Sequence, residues 1–507
     1  MAKTTQGALL STILVDRGTD IPIPVQIATE IREMILSRVL AAGQRLPSSR
    51  ALAHDMGVAR SSVVQAMETL VFEGFVTSRT GDGSYVSSDI KLLQDRGPQR
   101  RKPEAGKGQN TPLPRLSARG RDIMALAYEM RPNLVRAFTT AVPALDAFPT
   151  RLWSRLTSRF LRNSDTAHMV YGPAEGHAPL RAAIAQHLRL GRGLNADPGR
   201  IFIVNGAQMA VQLCAMVLAD PGDMAVFEDP GGIGPRNALK SQGLCTIPVP
   251  IDAEGLDVAR ARAAAPDARL VLVTPSHQHP TSVIMSLRRR LELLAYAKAA
   301  GAWILEDDYD GELRYSGVLQ PSLASIDADG SVIYIGSFAK TLFPSLRLGF
   351  VVVPDALVDV FRLTMSACIQ GLPVLPQAVV AAFISEGHYA AHIRNMRQLY
   401  AHRAALLLDH GARQLAGKID LRPVTTGFHT VGRLDSLLDP NALERRLAER
   451  QVRLVSVNRY RAMPASDNRM ILGFSCCNET MIANGMQSIA STIEAMEAER
   501  KGRSHRA

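Results

Sequence analysis

The sequence Ile333–Gly349, IYIGSFAKTLFPSLRLG, indicates the fold of most of this chain. The apolar run Val332–Ile335 is typical of a buried β-strand, and a short polar turn, Gly336–Ser337, follows it. Lys340 comes directly after that turn, and Arg347 lies seven residues beyond the lysine. A lysine and an arginine are therefore expected beyond the carboxyl end of one predicted strand.

A second apolar run, Ala302–Leu305, also ends in polar side chains, within the sequence ILEDDYDGE. Asp307 and Tyr309 are expected beside the lysine, because ligand sites of open α/β sheets lie outside the carboxyl ends of strands. This set suits pyridoxal 5′-phosphate (PLP). Lys340 supplies the amine for a Schiff base, the aspartate pairs with the pyridinium nitrogen, and the phenol hydrogen-bonds the phenolic oxygen. Ser337 and the arginine are predicted to hold the phosphate.

This region resembles the fold-type I aminotransferases. The strand-like run IFIV precedes Asn205–Gln208 (NGAQ), and a helix is expected from near Met209. Gly206 and Ala207 are expected at the phosphate, because N–H groups at a helix start bind anions. The resemblance implies that Tyr171, in VYGPAEGHAPLR, reaches the phosphate of a partner subunit, and hence a homodimer. It also implies an α/β fold with a mostly parallel sheet and a small C-terminal subdomain.

The sequence departs from that family around the predicted cofactor. Gly232, in EDPGGIGPR, stands where the family places a tyrosine that stacks on the cofactor ring. His279, in PSHQHPT, occupies a position where active aminotransferases carry asparagine. His279 either compensates by contacting the cofactor or is a surface turn histidine. Arg469, in NRMILGFS, is the candidate anchor for an effector carboxylate, and the alternative is a surface arginine at a strand edge.

Residues 22–88 carry a second pattern. Apolar residues at helical spacing predict a first helix: Ile27, Ile31, Ile35 and Leu36. This helix is expected to end at Ala42-Gly43. Ser48 or Ser49 is expected to cap a second helix, Arg50–Met56, and a third helix begins at Arg60. A strand, the tight turn TGDG and another strand follow. This order is typical of a helix-turn-helix with a β-hairpin wing.

The N-terminal segment closely resembles the GntR-type winged helix, whose hallmark appears as GQRLPSSR at Gly43–Arg50. Followed by an aminotransferase-like region, it is similar to the MocR/GabR class of bacterial transcriptional regulators. The resemblance implies a winged-helix DNA-binding domain at residues 20–90 and an aminotransferase-like PLP-binding domain at 123–495. Between them, residues 91–122 are rich in proline, glycine and basic residues, which predicts a flexible basic linker.

The net charge of +11 does not by itself locate a DNA site. Residues 1–90 hold eight Lys/Arg against nine Asp/Glu, whereas residues 91–122 hold nine against three. DNA binding by the head must therefore rest on individually placed groups, with phosphate contacts for position and base contacts for specificity. The candidates lie around the LPSS turn, the recognition-helix start and the wing: Arg45, Ser48, Arg50, Arg60, Ser61, Ser62, Arg79 and Gly83.

Other functional classes find little support in the sequence. No apolar run approaches the length of a membrane span and the N-terminus lacks a signal-peptide core, so no membrane partner and a cytoplasmic location are expected. The five cysteines show neither metal-type spacing nor a disulfide framework, and no metal site is predicted.

Two functions remain open. In the first, the chain is a PLP-dependent regulator that binds double-stranded operator DNA and senses a small amine or amino acid through aldimine exchange at Lys340. In the second, it is a working aminotransferase with a regulatory DNA-binding head.

Overall fold

The computed structural model describes residues 13, 15–79, 82–91, 115–126, 134–317, 320–464 and 466–504. The chain divides into two compact units, residues 1–113 and 114–507. Most of the predicted linker, including its basic run Arg100–Lys102, lies outside the described residues.

The first unit is a helical head with a β-hairpin. Its elements are α1 (Ile23–Leu36), α2 (Ser49–Asp55), α3 (Arg60–Phe72), β1 (Val76–Arg79) and β2 (Gly83–Val86). The helices and the hairpin share one core, in which Ile27, Ile31 and Ile35 of α1 are fully buried. The two strands pair antiparallel, so the predicted helix-turn-helix with its wing is present.

The boundaries of two helices in the head differ from those predicted. α1 ends at Leu36 rather than at Ala42-Gly43, because Arg38 adopts a left-handed conformation (φ 66°) that stops helix propagation. Leu36 is 39% exposed and lies outside the core. α2 begins at Ser49, and the Ser48 hydroxyl caps it by accepting a hydrogen bond from the Ala51 N–H at 3.2 Å.

The second unit contains the remaining elements of the described chain. Its helices are α4 (Ala118–Met124), α5 (Thr150–Asn163), α6 (Ala178–Gly191), α7 (Gly206–Leu218), α8 (Ile233–Ser241), α9 (Val258–Ala264), α10 (Leu287–Ala300), α11 (Leu323–Ile326), α12 (Val358–Cys368), α13 (Val374–Ser385), α14 (His388–Gln414), α15 (Pro440–Glu449) and α16 (Glu479–Ser504). Its strands are β3 (Ile201–Val204), β4 (Met224–Asp229), β5 (Cys245–Asp252), β6 (Gly255–Leu256), β7 (Leu270–Val273), β8 (Trp303–Asp308), β9 (Val332–Ser337), β10 (Gly349–Val352), β11 (Ile419–Leu421), β12 (His429–Leu434), β13 (Val455–Ser456) and β14 (Arg469–Gly473).

An eight-stranded sheet with the order β3-β10-β9-β8-β7-β4-β5-β6 forms the centre of this unit. Strands β5, β4, β7, β8 and β9 pair parallel, whereas β10 pairs antiparallel with both β9 and β3. All residues of β3 and β7 are buried, because such strands are covered on both faces. The predicted α/β fold with a mostly parallel sheet is confirmed.

A smaller antiparallel sheet, β11-β12-β14-β13, lies in the C-terminal part of the unit. Residues 137–142 connect it to the large sheet. At one end, the Gly473 N–H donates to the Phe138 carbonyl at 3.1 Å. At the other, the Lys340 amine donates to the Ala141 carbonyl at 2.8 Å. This segment therefore spans the distance between the small sheet and the carboxyl end of β9.

The segment predicted as a flexible linker ends in a helix. The Ser117 hydroxyl caps α4 by accepting a hydrogen bond from the Gly120 N–H at 2.9 Å. α4 contacts α8, although none of its own residues is buried. The chain that leads from the head is thus attached to α8 by a surface contact. Among the described residues, no helix is both long and apolar enough to cross a membrane.

Candidate functional site

A cavity of about 290 Å³ opens at the carboxyl ends of β8 and β9. Its lining includes these predicted cofactor residues: Gly206, Ala207, His279, Asp307, Tyr309, Ser337, Lys340 and Arg347. They come from five separate segments of the sequence. The topology brings them together because the carboxyl ends of β3, β7, β8 and β9 lie at one edge of the sheet. Arg347 reaches the same edge because it precedes β10, which runs antiparallel to its neighbours.

Lys340 supplies a primary amine inside this cavity. It follows β9 across a tight turn, in which the Ser337 hydroxyl accepts a hydrogen bond from the Ala339 N–H at 3.2 Å. The lysine side chain is half-buried, and its amine donates to the Ala141 carbonyl at 2.8 Å. The amine is therefore positioned within the cavity rather than in bulk solvent.

Asp307, at the end of β8, offers an acceptor that nothing in the described protein satisfies. Its side chain is 6% exposed, and its Oδ1 atom is buried without a hydrogen-bond partner among the described residues. Burial, together with the negative charges of the neighbouring Asp308 and Asp310, raises the pKa of Asp307 to about 7. An unpaired buried carboxylate oxygen is costly. The protonated ring nitrogen of PLP would supply the missing donor, so Asp307 fits that cofactor.

Glu228 adds a second buried carboxyl to the cavity lining. Burial raises its pKa to about 7. Its Oε2 atom accepts hydrogen bonds from the Thr274 hydroxyl at 2.5 Å and from the Gln278 amide at 3.1 Å. Its Oε1 atom has no hydrogen-bond partner in the described part of the chain. The floor of the cavity thus holds carboxyl groups that burial pushes toward their neutral forms.

Tyr309 is held by a buried pair of hydrogen-bonded residues, His277 and Asp310, that the sequence analysis did not identify. Its hydroxyl donates to the His277 carbonyl at 2.8 Å. The His277 ring nitrogen Nδ1 lies 2.6 Å from Oδ2 of Asp310, and both side chains are 1% exposed. A sequence signal existed, because His277 follows β7 and Asp310 follows β8, and these strands are parallel neighbours. The pair fixes the loop that presents the phenol to the cavity.

His279 lies in the cavity wall and is not a surface turn residue. Burial, together with the charges of Lys340 and His277, lowers the pKa of His279 to about 3, so the ring is neutral at physiological pH. The Tyr460 ring packs edge-on against it, with centroids 4.9 Å apart. The Gly231 N–H also donates to the Tyr460 carbonyl at 3.2 Å. Tyr460 therefore places an aromatic wall beside Gly232, where the family's stacking tyrosine is missing.

The phosphate end of the predicted site combines a helix start with a guanidinium. α7 begins at Gly206, earlier than the predicted start near Met209. The Arg347 guanidinium donates to the Asn205 carbonyl at 3.2 Å, and it lies 3.8 Å from where a Cβ on Gly206 would be. The N–H groups at a helix start, together with this cation, suit a phosphate group.

Two predicted residues lie away from the cavity lining. Tyr171 is 88% exposed and lies outside the cavity lining, and its predicted contact with a partner subunit stays a prediction. Arg469, at the start of β14, pairs with Asp467 at 2.6 Å, and its hydrogen bonds help to lower the pKa of that carboxyl to about 2. This pairing directs Arg469 away from the role of effector anchor. Arg453 and Arg459 line the cavity instead.

In the head, most of the predicted DNA contacts surround the start of α3. Arg60 is its first residue and is exposed, with Nε 3.5 Å from the Ser49 hydroxyl. Ser61 is exposed and Ser62 is half-buried in the first helical turn. Arg50 is exposed on α2. These side chains can therefore reach a DNA groove together with the helix start.

The wing carries the other predicted DNA contacts. Arg45 hydrogen-bonds the Asp82 carbonyl, and its guanidinium lies over the Tyr85 ring at 6.0 Å. The Arg79 guanidinium lies 5.0 Å from the centroid of the same ring. Gly83 has a φ of 124°, and a Cβ there would lie 3.3 Å from Nε of Arg45. The wing residue Tyr85 thus lies beside two arginines, Arg79 of the wing and Arg45 of the segment before α2.

Comparisons with known proteins support both the winged-helix head and the aminotransferase-like unit. Residues 24–86 match the bacterial regulatory proteins of the gntR family, and residues 147–489 match aminotransferase class I and II. The probable rhizopine catabolism regulatory protein MocR of Rhizobium meliloti is 35% identical over 96% of this chain and 97% of its own length. The chain belongs to the MocR class of GntR-type transcriptional regulators.

Other members and folds support this membership. The MocR-class chain is 31% identical to the HTH-type transcriptional regulator TauR of Rhodobacter capsulatus, over 91% of this chain and 95% of the relative. Its aminotransferase-like unit is similar to a kynurenine aminotransferase of Pyrococcus horikoshii, with a TM-score of 0.66 and 25% identity over 71% of this chain and 91% of that one. It is also similar to LysN, the alpha-aminoadipate aminotransferase of Thermus thermophilus, with a TM-score of 0.66 and 25% identity. The match covers 75% of this chain and 96% of that one.

Proposed function

We propose that this regulator binds PLP at Lys340, senses a small primary amine or amino acid there, and acts as a homodimer on double-stranded operator DNA. The observation that carries the proposal is the unsatisfied buried oxygen of Asp307, which shares one cavity with the Lys340 amine. A structural aspartate would be expected to find a donor within the protein. No described residue supplies a donor to this oxygen, and the ring nitrogen of PLP would supply one.

Each cavity residue has a defined task toward the cofactor. Bound PLP supplies an aldehyde carbon to which a primary amine attaches. Asp307 would accept a hydrogen bond from the ring nitrogen, and Tyr309 would donate one to the phenolic oxygen. The N–H groups of Gly206 and Ala207, with Arg347, would hold the phosphate. Lys340 would hold the aldehyde carbon through its amine, and an effector amine would take its place by bonding to that carbon as the lysine amine is released.

Within the second unit, α8 contacts both the cavity and α4, the helix that overlaps the end of the predicted linker. Residues Ile233, Gly234 and Pro235, at the start of α8, line the cavity, and α4 contacts the same helix. An effector shifts an equilibrium only when it binds one arrangement better than another. Occupation of the cavity beside α8 would favour one packing of α4, and thereby one arrangement of the tethered heads.

The decisive experiment compares wild type with Lys340→Ala, with Lys298→Ala as the matched control. Lys298 is an exposed lysine paired with Asp329. DNA fragments selected by the wild-type protein would be titrated in fluorescence anisotropy, with and without a panel of amines and amino acids. Lys340→Ala should keep wild-type DNA affinity and lose the effector response, whereas the control should keep both. A normal response from Lys340→Ala would refute the proposed exchange at this lysine.

A turnover assay with amino and keto acids separates this proposal from the aminotransferase alternative. Catalysis needs an anchored substrate and a lysine free to move protons. We expect effector-dependent DNA binding without multiple turnovers. Sustained keto-acid production by wild type, lost in Lys340→Ala, would instead support the enzyme interpretation.

A further inference from the structure

We infer that the adjacent cysteines Cys476 and Cys477 form a reversible oxidation site, at which a hydroperoxide converts the two thiols into a disulfide. Neither cysteine belongs to the cavity lining, and neither has a task in the proposed function. The existence of the oxidation site therefore does not depend on that function. Its predicted effect, a weaker binding of PLP, does rest on the proposed function.

The two sulfur atoms lie close together because the cysteines occupy a tight turn. The turn at residues 474–477 follows β14, and the Cys477 N–H closes it by donating to the Phe474 carbonyl at 3.1 Å. In a strand, adjacent side chains would point to opposite faces. In this turn, the Sγ atoms of Cys476 and Cys477 are 3.9 Å apart. A movement of about 2 Å would bring them to the bond length of a disulfide.

Cys476 is the thiol that an oxidant reaches first. It is 7% exposed, whereas Cys477 is fully buried. Behind the turn, the Arg403 guanidinium donates to the Ser475 carbonyl and to Oδ2 of Asp146, the latter at 2.6 Å. A nearby guanidinium favours the thiolate over the thiol, and the thiolate is the form that reacts with a peroxide.

Cys477 is placed to complete the reaction. The Phe138 N–H donates to its Sγ atom at 3.1 Å. A hydrogen bond from the Cys476 thiol lowers the pKa of Cys477, and this N–H and the charge of Arg403 act in the same direction, although burial opposes them. The same hydrogen bond, together with burial, raises the pKa of Cys476, so the first oxidation is the slower step. A thiolate at Cys477 then attacks the oxidised neighbour.

The reaction balances with the hydroperoxide as its oxidant. The sulfur of Cys476 attacks one peroxide oxygen, the O–O bond breaks, and the thiol proton leaves with the other oxygen as water or alcohol. Cys476 is then a sulfenic acid. The sulfur of Cys477 attacks it, the S–S bond forms, the S–O bond breaks, and water leaves with the proton that Cys477 gives up. The two thiols have lost two electrons, and the peroxide has gained them.

The turn is hydrogen-bonded to the segment 137–142, which lies beside the cavity. Thr140, Ala141 and Val142 of this segment line the cavity, and the Ala141 carbonyl accepts the hydrogen bond of the Lys340 amine. Three consecutive side chains of the turn hold the segment. Their bonds are those of the Ser475 hydroxyl to the Val142 carbonyl at 2.6 Å, of the Cys476 thiol to the Thr139 carbonyl at 3.3 Å, and of the Phe138 N–H to the Cys477 sulfur at 3.1 Å.

A disulfide would change this wall of the cavity. Oxidation removes the S–H of Cys476, so the Thr139 carbonyl loses a donor. The segment has no room to relax toward β14, because a Cβ on Gly473 would lie 2.2 Å from the Thr139 carbonyl oxygen. A rearrangement of Thr139 is therefore directed along the segment to Ala141, which holds the Lys340 amine. We expect the oxidised protein to bind PLP more weakly.

The disulfide should also be easy to reduce. The Cα atoms of adjacent residues are about 3.8 Å apart, below the range of about 4.4–6.8 Å that most disulfides adopt. A bond formed under this constraint is strained, and strained disulfides are the labile ones. Reduction by a dithiol should therefore restore both thiols.

The test begins with the full-length protein, reduced and then treated with hydrogen peroxide. The remaining thiols are blocked with iodoacetamide, and trypsin releases both cysteines in the single peptide 470–500. The wild-type peptide should lack two hydrogen atoms and carry no alkyl group. Dithiothreitol added before the blocking step should return two alkylated thiols.

A PLP titration of the reduced and the oxidised protein measures the effect on the cavity. Oxidised wild type should bind PLP about threefold or more weakly, the effect of roughly one lost hydrogen bond. Cys476→Ser keeps a donor for Thr139 and cannot form the disulfide, so peroxide should leave its PLP affinity unchanged. This variant also controls for methionine oxidation, which occurs in both proteins. Cys368→Ser, at an exposed cysteine, is the matched control and should respond as wild type.

Each outcome decides one part of the inference. If both wild-type thiols stay open to alkylation, or if only irreversibly oxidised sulfur forms, the oxidation site is overturned. If the disulfide forms without a change in PLP affinity, or if peroxide weakens Cys476→Ser equally, the effect on the cavity is overturned. If the reduced protein binds no PLP, the proposed function is lost and this effect with it, whereas the peptide mass still decides the oxidation site. Should Cys476→Ser fail to fold, Cys477→Ser takes its place, since its hydroxyl can accept from the Phe138 N–H.

Discussion

Asp307 is a residue whose burial lowers the stability of the folded chain. Its folded-state pKa of about 7 lies above the unfolded value of about 3.8, so the folded protein binds the proton more tightly. The resulting loss of stability is absent below about pH 4, grows as the pH rises toward 7, and is complete above it.

Asp307→Asn should therefore raise the unfolding temperature of the cofactor-free protein at pH 8, by a few degrees, and change it little at pH 4. The same substitution should weaken PLP binding by about tenfold or more, because it removes a charged acceptor. Calorimetry at both pH values and a PLP titration would measure the two effects. The exposed Asp267→Asn variant is the control, and an equal shift at both pH values would contradict the explanation.

Lys340 gives a second prediction at the scale of single residues. Borohydride treatment of the PLP-loaded wild type should leave a pyridoxyl group on Lys340, detectable by peptide mass spectrometry. Lys340→Ala should carry none, whereas Lys298→Ala should label as wild type. Labelling of another lysine in wild type would show that the amine has been assigned wrongly.

The sequence predicts which residues lie in the cavity when those residues follow a strand. It does not predict residues whose position depends on tertiary contacts. Asp307, Ser337 and Lys340 follow apolar runs, and parallel strands necessarily bring such ends together. Arg469 has the right residue type, but its neighbour Asp467 engages it. Arg453 had no comparable signal, because its place in the cavity depends on how the small sheet packs against residues 137–142.

At the scale of elements, the loop before β12 supports the cofactor side through a glycine. Gly427 has a φ of 73°, and a Cβ there would lie 2.2 Å from the His277 ring and 2.9 Å from the Asp310 carboxylate. The Gly427 N–H donates to the Leu313 carbonyl at 2.9 Å, which ties this loop to the chain after Asp310.

Gly427→Ala should displace the His277–Asp310 pair and so lower both stability and PLP affinity. Gly417→Ala is a matched control, because Gly417 has nearly the same φ, 72°, with no atom near its Cβ position. The control should cost about 1 kcal/mol for the backbone alone. Urea unfolding and PLP titration of both variants would test this, and equal losses would refute a packing role for Gly427.

The recognition helix α3 carries a prediction about DNA. Arg60→Ala or Arg50→Ala should cost about 1–3 kcal/mol at one specific base pair if the lost contact is bidentate. An arginine that contacts only phosphate should instead weaken all sequences alike and reduce the salt dependence. Anisotropy titrations at several salt concentrations distinguish these cases. Arg262→Ala, which removes an exposed charge from the other unit, should change neither measurement.

Element boundaries show why the remainder of the fold could not be predicted. The apolar spacing of α1 was sufficient to place its buried face, but the helix end depends on Arg38, a residue type that rarely adopts the left-handed conformation. Similarly, α4 lies in a segment whose composition predicts a flexible chain. Contact with α8 is a tertiary interaction, and composition carries no information about it.

At the scale of the whole molecule, we expect a homodimer in which Tyr171 serves the partner's cavity. Sedimentation at micromolar concentration should give twice the mass of the 54.9 kDa chain. Tyr171→Phe, which removes only the hydroxyl, should lower PLP affinity about tenfold and leave the dimer intact. A monomer that still binds PLP fully would contradict this assembly.

The buried carboxyls of the large unit have a consequence for the cell. Asp307, Glu228 and Glu306 all have pKa values of about 7 in the folded chain, so at neutral pH the vitamin-free protein is held below its attainable stability. A ligand that binds only the folded chain restores that stability by mass action. Newly made regulator should then be degraded faster when vitamin B6 is scarce. The supply of vitamin B6 would set the number of regulator molecules as well as the fraction that carries the cofactor.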